Sequence, residues 1–322
     1  MKTVFIVNPV AGGRDISADL QKMVEQTVQK HNLQDLQFEV VRTTHAGHAT
    51  ELAQQYAGTG EEVRLFAVGG DGTLNEVFAG AYRYKNAAVG CLPYGSGNDF
   101  LRNFGTKEEF QDLADQLMGG TVEIDLFETE FGVGASICSV GLDAQIAYDI
   151  PKFRRIPLCG GETAYKLSIL RNLIGPLSRK LDITLDGERM DEECVLTAFC
   201  NGGYYGGGFY AAPECSMDDG LLDVMIVKKM GLLRIAKVLP VYQKGLHLVD
   251  GSIVPALADV VEFRRCRTAE IRVADGAEKP IVANVDGECH SAGGLSVRIL
   301  PQAGRVILPA KVLARKKVHL TK

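Results

Sequence analysis

No stretch of this 322-residue chain approaches the ~20 consecutive apolar residues that a membrane-spanning helix requires. The apolar start, Val4 to Val7, is too short for the hydrophobic segment of a secretory signal and runs straight into Asn8-Pro9. It reads instead as a first buried strand, in a protein made and kept in the cytoplasm. The eight cysteines include no C-x-x-C pair, and the six histidines make no zinc-ligand spacing with them. The cysteines therefore read as reduced packing thiols, Cys91 and Cys138 above all, because both lie inside apolar runs. Excess positive charge is also missing: the formal net charge is −5, which excludes a broad nucleic-acid-binding surface. There is no solenoid-type repeat and no low-complexity linker. What remains, 46% hydrophobic and 23% charged, is the composition of a folded globular chain of one large or two ordinary domains.

The most informative feature present is Gly69-Gly70-Asp71-Gly72-Thr73. Upstream, Val63, Leu65, Phe66, Ala67 and Val68 form the apolar run of a strand covered on both faces. Downstream, Leu74, Val77, Phe78 and Ala81 recur at i, i+3, i+4 and i+7, one face of a helix. A glycine turn opening a helix presents backbone N–H groups and the positive end of the helix dipole, and both favour a phosphate. It matches neither G-x-G-x-x-G nor the G-K-[ST] of a P-loop. Asp71 repels phosphate unless a cation intervenes, so it reads as a site for Mg²⁺ or for water held by Mg²⁺.

The first ~125 residues alternate strand and helix patterns, the signature of a parallel sheet with helices on both faces. Strands are expected at Val4–Val7, Phe38–Arg42, Val63–Val68 and Ala88–Leu92. Helices are expected near Ser17–Lys30, His48–Ala57, from Leu74, and near Glu108–Met118. From about Thr121 short alternating runs separated by turn residues predict a mostly antiparallel sandwich, interrupted by helices near Glu162–Ile174 and Leu232–Lys244. The expected division is an α/β domain over residues 1–123, with a C-terminal segment of about 303–322 packing back onto it, and a β-sandwich over 124–302. A cleft between two such domains is a common place for a ligand.

Four loops of the first half are expected at one edge of the sheet. Asn8 to Arg14 is small and glycine-rich with a basic end, and also fits a plain strand-to-helix turn. In Arg42 to Gly47, Thr44 suits either a nucleotide contact or a helix N-cap. The glycine turn is the third. The fourth, Pro93-Tyr94-Gly95-Ser96-Gly97-Asn98-Asp99-Phe100, offers the Ser96 hydroxyl and open backbone, while Asn98-Asp99 suits a cap. In the second half, Asp186-Gly187-Glu188 and Asp286-Gly287-Glu288 both read as hairpin turns. Asp218-Asp219-Gly220 reads as a turn or as a hard-cation site. The run Tyr204 to Tyr210 suits an apolar ligand mouth or a tight loop packed by its own rings. Lys152, Arg154 and Arg155 suit an anionic membrane surface or a solvated loop.

Taken together these motifs resemble the bacterial diacylglycerol kinase family of soluble lipid kinases over nearly the whole length. The carriers are Asn8-Pro9, G-G-D-G-T-L-N-E from Gly69, P-Y-G-S-G-N-D-F from Pro93, Asp219-Gly220-Leu221, and N-V-D-G-E ending at Glu288. G-G-D-G alone also admits NAD kinases and phosphofructokinase relatives. The resemblance implies ATP as phosphoryl donor, bound by Asn8, Thr44, Gly69, Gly70, Asp71, Gly72, Thr73, Leu74, Asn75 and Ser96, with Asp71 and Asp99 linked to Mg·ATP. It implies Glu288 as general base with Asp286 beside it, and a structural Mg²⁺ held by Asp219 with the carbonyls of Ser216 and Leu221. It further implies a lipid acceptor reached by transient docking at the inner membrane face, with diacylglycerol first, and it allows a homodimer. Arg14 stands one place after Gly13, where many members carry lysine directly after the first loop's glycine. An NAD kinase with a soluble acceptor, or a non-catalytic nucleotide- or lipid-sensing module, is the alternative.

Overall fold

Val4, Phe5, Ile6 and Val7 are all 0% exposed, because their strand lies in the middle of a parallel sheet covered on both faces. The computed structural model describes residues 1–95, 97–156, 161–274 and 280–320, with backbone alone for 154, 161, 162 and 317–320. The described chain forms two units, Met1–Leu126 with Pro301–Lys322, and Phe127–Leu300.

In the first unit β1 (Lys2–Val7) leads through α1 (Ser17–Lys30) to β2 (Gln37–Arg42), then through α2 (His48–Ala57) to β3 (Val63–Gly69) and through α3 (Asp71–Ala81) to β4 (Ala87–Pro93). The order is β4-β3-β1-β2, all parallel. β3 and β4 are buried along their whole length, whereas edge strand β2 is only half-buried. Phe5 and Phe66 stack at 5.1 Å inside a cluster closed by Leu20 and Val24 of α1. Because the chain leaves β1 toward β2 on one side and enters β3 on the other, the loops after β1 and β3 diverge at their carboxyl ends. Such a switch point leaves a crevice for a ligand.

The stretch read as one helix over Glu108–Met118 is two, α4 (Lys107–Gln111) and α5 (Leu113–Leu117). Asp112 breaks it: its ψ of 95° is extended, and its carboxylate caps α5 by accepting from the Asp115 N–H at 3.0 Å. Buried Arg64 of β3 closes the other end of α5, donating to the carbonyls of Leu117 (2.7 Å) and Gln116 (2.8 Å).

Then come β5 (Gly120–Thr129), β6 (Gly132–Gly134), β7 (Ile137–Gly141), α6 (Leu142–Arg154), α7 (Gly161–Leu173), β8 (Arg179–Leu185) and β9 (Glu188–Cys200). The chain continues through the hairpin of β10 (Tyr204–Tyr205) and β11 (Phe209–Tyr210), β12 (Leu222–Lys228), α8 (Leu232–Gln243), and the hairpin of β13 (Leu248–Val249) and β14 (Ser252–Ile253). It ends with β15 (Val261–Cys266), β16 (Thr268–Val273), β17 (Ile281–Val285), β18 (Glu288–Ala292), β19 (Gly294–Leu308) and α9 (Ala310–Leu320). Within the second unit β7, β8, β9, β12, β15, β16, β17, β18 and the first part of β19 pair antiparallel. Two-residue periodicity sorts the side chains: Leu222, Val224 and Ile226 of β12 enter one apolar cluster, Met225 and Val227 the other, under Val238 and Tyr242 of α8. In the first unit the last part of β19 pairs with β4, Val306 opposite Val89.

α6 is the element the sequence reading passes over as a charged loop. Pro151 stands inside it, and Lys152 pairs with Asp149 at 2.5 Å. The aromatic run packs on itself, with Tyr204 and Tyr210 stacked at 4.2 Å. No helix among the described residues is long and apolar enough to cross a membrane. Cys91 and Cys138 are buried, and burial raises both thiols well above the usual cysteine value.

His247 is wholly buried beneath Tyr242, with Nε2 on the Ala211 carbonyl at 3.0 Å. Burial lowers its pKa, and the hydrogen bond to Ala211 opposes that only in part. The unfolded chain thus binds a proton more readily than the native one. The stability supplied by neutral His247 is complete above pH ~6.5 and is lost as pH falls toward its lowered native value, by at most ~1.4 kcal/mol per pH unit. Urea midpoints at pH 7.5 and 5.5 are expected to separate more for the parent protein than for His247→Gln; equal separations would count against this role.

Candidate functional site

β3 ends at Gly69, and Gly70 (φ −107°, ψ −168°) precedes α3, which no side chain among the described residues caps. The first N–H groups of α3 are therefore left for a ligand at the sheet's carboxyl edge. Asn8, just past β1, ties the two diverging loops together by donating from Nδ2 to Thr73 Oγ1 at 3.1 Å. The fourth loop closes over the turn. The Tyr94 and Gly95 N–H groups both donate to the Gly69 carbonyl at 2.8 Å. A Cβ on Gly95 would lie 2.4 Å from Gly70 Cα, so the two backbones touch there only because neither residue has a side chain. The loop is clamped by Asn98 Nδ2 (2.7 Å) and Lys107 Nζ (3.0 Å), both donating to the Gly95 carbonyl, and by Gln111 Nε2 donating to the Pro93 carbonyl at 3.3 Å. Lys107 and Gln111 carry no spacing signal in the sequence, and only folding shows that α4 holds the loop.

Half-buried Asp71 opens α3. Its Oδ1 accepts from the Phe100 N–H at 3.3 Å, and a Cβ on Gly97 would lie 2.8 Å from Oδ2. No cationic side chain pairs with it among the described residues. A carboxylate facing glycine, with one long N–H contact and no cationic partner among the described residues, fits an oxygen-loving cation such as Mg²⁺. Asp99 is buried with Arg102 Nε 3.2 Å away. Thr73 and Leu74 are buried, and the Leu74 N–H already donates to the Gly70 carbonyl at 3.1 Å, so what these two offer a ligand is limited to the Thr73 backbone. Gly72 is exposed, and Asn75 keeps a buried Oδ1 without a hydrogen-bond partner. Ser96 lies outside the described residues. Thr44 does not cap α2. Its N–H and hydroxyl meet His48 Nδ1 at 3.0 and 3.1 Å, and the α2 N-terminus is served by Glu76 Oε2, which accepts from the Ala49 N–H at 3.1 Å. Arg14 is exposed, 3.7 Å from Asp19.

In the second unit the two Asp-Gly-Glu triplets are built alike. Asp186 and Gly187 have φ of 48° and 89°, Asp286 and Gly287 of 46° and 95°, the left-handed pair of a two-residue hairpin turn. Each aspartate turns its carboxylate onto a neighbouring segment. Asp186 accepts from the N–H groups of Thr268 (2.8 Å) and Arg267 (3.0 Å); burial raises its pKa, but these donors outweigh that and hold it below the usual range. Asp286 accepts from Ala135 (2.6 Å), Ser136 (3.0 Å) and Ile137 (2.8 Å), and Asn284 Oδ1 accepts from the Gly287 N–H at 2.8 Å. Three N–H donors leave Asp286 a fastener of the hairpin. Glu288, the first residue of β18, stands exposed at its end.

Asp219 Oδ1 accepts from the Leu221 N–H at 3.0 Å, and Ser216 Oγ donates to Asp218. Beside this turn, buried Asp223 pairs with Arg265 Nε at 2.8 Å and keeps Oδ2 buried without a hydrogen-bond partner; burial raises its carboxyl, against the pull of Arg265. The available donors are all oxygens, and the orphaned oxygen fits a hard cation nearby.

Comparison with known proteins bears directly on these constellations. Residues 2–129 match the diacylglycerol kinase catalytic domain, and residues 136–308 match the YegS C-terminal NAD kinase beta sandwich-like domain. A YegS-like protein of Chromohalobacter salexigens, described as a probable lipid kinase, is 31% identical over 253 residues, 76% of each chain. The chain belongs to the diacylglycerol kinase and YegS-like lipid kinase family. Within this family, a diacylglycerol kinase of Bacillus subtilis (strain 168) is 29% identical over 291 residues, 89% of this chain and 90% of that one. A crystal structure of a diacylglycerol kinase from Bacillus anthracis (strain Sterne) shares the fold, with a TM-score of 0.67 at 20% identity over 97% of this chain and 98% of that one. The lipid kinase family accounts for the parallel first unit and antiparallel second unit together.

Proposed function

We propose that this lipid kinase transfers the γ-phosphoryl group of ATP to a lipid hydroxyl, with diacylglycerol as acceptor and phosphatidic acid as product. The observation that carries the reading is the start of α3, pressed against the fourth loop, with Asp71 between them and no cationic side chain paired with it among the described residues. Phosphoryl transfer asks a protein for positioning and charge neutralisation more than for covalent help. The N–H groups of Gly70 to Thr73 hold phosphate oxygens, Asn8 fixes the approach of the first loop, and Thr44, Asn75, Ser96 and Asp99 complete the nucleotide's surroundings. Asp71 would hold Mg²⁺, and Asp219 with the carbonyls of Ser216 and Leu221 would hold a second, structural Mg²⁺ in the second unit. Bound Mg²⁺ supplies neutralisation of phosphate charge. Glu288 takes the proton of the acceptor hydroxyl as it attacks, while Asp286 keeps the hairpin in place for it.

A labelled-ATP assay over diacylglycerol, phosphatidylglycerol, ceramide, sphingosine and NAD tests the reading. Label in diacylglycerol supports it, label in NAD alone replaces the acceptor, and no label anywhere overturns it. Asp71→Asn is expected to raise the Mg²⁺ concentration needed for half-maximal rate by roughly 10- to 100-fold, as loss of a supporting carboxylate does at metal sites. An unchanged Mg²⁺ titration at fixed ATP would remove Asp71 from that role.

A further inference from the structure

α8 buries apolar side chains on one side and exposes them on the other, where Gln243 is the polar residue among them. Val238 and Tyr242 pack inward. On the opposite side Leu233 is 84% exposed, Leu232 46% and Leu239 47%, with Ala236 and Pro240 exposed between them, and Leu246 just beyond the helix is 58% exposed. An amphipathic surface helix of a globular protein turns charge outward, so an apolar outer face marks a surface that something covers. The flank carries Lys237, and Lys244, the residue that ends the helix, follows it seven positions on and so on the same side. Neither forms an ion pair among the described residues, and α8 contains no acidic residue. Asp259 nearby is already paired with Arg234 at 3.1 Å.

We propose that the outward face of α8 docks on an anionic lipid bilayer, its leucines entering the headgroup boundary and Lys237 and Lys244 meeting lipid phosphates. The pattern of an apolar stripe edged by lysine suits a helix lying in the interface plane. A second copy of the chain suits it less: two α8 faces related by a twofold axis would set lysines against lysines with no carboxylate on the face to answer them. The purpose of the docking, bringing the enzyme to its acceptor, rests on the lipid-kinase reading; the docking itself does not.

Co-sedimentation with vesicles of phosphatidylcholine, alone or with phosphatidylglycerol, tests it. The parent protein is expected to sediment with the anionic vesicles. Leu232→Asp/Leu233→Asp is expected to bind them on the order of 100-fold more weakly, two buried leucines being removed from the bilayer, and to keep its melting temperature. Lys237→Glu/Lys244→Glu is expected to lose the preference for anionic over neutral vesicles. The leucine variant should retain parent activity on a short-chain, water-soluble diacylglycerol. Parent-like sedimentation of the leucine variant overturns the proposal. So does a parent dimer, seen by light scattering, that this variant converts to monomer while the parent ignores vesicles. A parent protein that binds vesicles but phosphorylates no lipid overturns the kinase reading and leaves the docking surface standing.

Discussion

Glu288→Gln is expected to leave ATP affinity unchanged and to lower turnover on the order of 100- to 10,000-fold, the range over which general bases act. The contrast with Glu188→Gln makes the experiment specific. Both glutamates follow an Asp-Gly turn with the same positive backbone angles, and both turns are fastened by an aspartate that gathers backbone N–H groups. Charge, exposure and hairpin geometry are thus matched, and Glu188→Gln is expected to retain parent turnover. Equal effects of the two substitutions, or none from Glu288→Gln in a single-turnover measurement at saturating ATP, would remove Glu288 from the role of base. The tight engagement of Asp286 adds a corollary: its carboxylate already serves Ala135, Ser136 and Ile137, so under the proposed reaction Asp286→Asn is expected to disturb the hairpin, and the base is sought at the exposed glutamate two residues on.

Gly95→Ala is expected to weaken ATP binding by roughly 10- to 100-fold, the equivalent of the ~1–3 kcal/mol that overpacking a closed contact costs. The new methyl group would meet Gly70 Cα at 2.4 Å, a backbone atom that cannot swing aside. The fourth loop must then lift away, stretching the two hydrogen bonds from Tyr94 and Gly95 to the Gly69 carbonyl and opening the turn proposed to receive phosphate. Gly231→Ala is the control, since a Cβ there meets nothing within 4 Å. Binding of a fluorescent ATP analogue reads the effect directly. Parent-like affinity in Gly95→Ala would show that contact between these loops is dispensable for nucleotide binding.

The chemistry-bearing loops were legible because periodicity reports burial over short distances. The apolar run before Gly69 and the i, i+3, i+4, i+7 pattern after it place a glycine turn between strand and helix, where it is found. α6 escaped notice because Pro151 and a cluster of charges mimic a loop, and only its packing shows otherwise. The division of Glu108–Met118 into α4 and α5 escaped for a related reason: Asp112 suits both a helix interior and an N-cap, and the choice depends on the Arg64 guanidinium, 53 residues away from Leu117 in sequence, closing the far end. The two Asp-Gly-Glu triplets were legible as turns, and nothing local separates them, because their backbone angles nearly coincide.

By itself the sequence determined the alternation of the first unit, the antiparallel rhythm of the second, and the position of every glycine-rich loop, since these follow from local periodicity and from backbone freedom at single residues. Only the tertiary structure decided which polar groups are already spoken for. Asp286 is consumed by three N–H donors, Thr73 by Asn8, and Glu76 by α2, whereas among the described residues no cationic side chain pairs with Asp71 and the leucines of α8 stay exposed. The physical reason is that hydrogen-bond saturation and burial depend on partners brought together from distant parts of the chain, which no local pattern encodes.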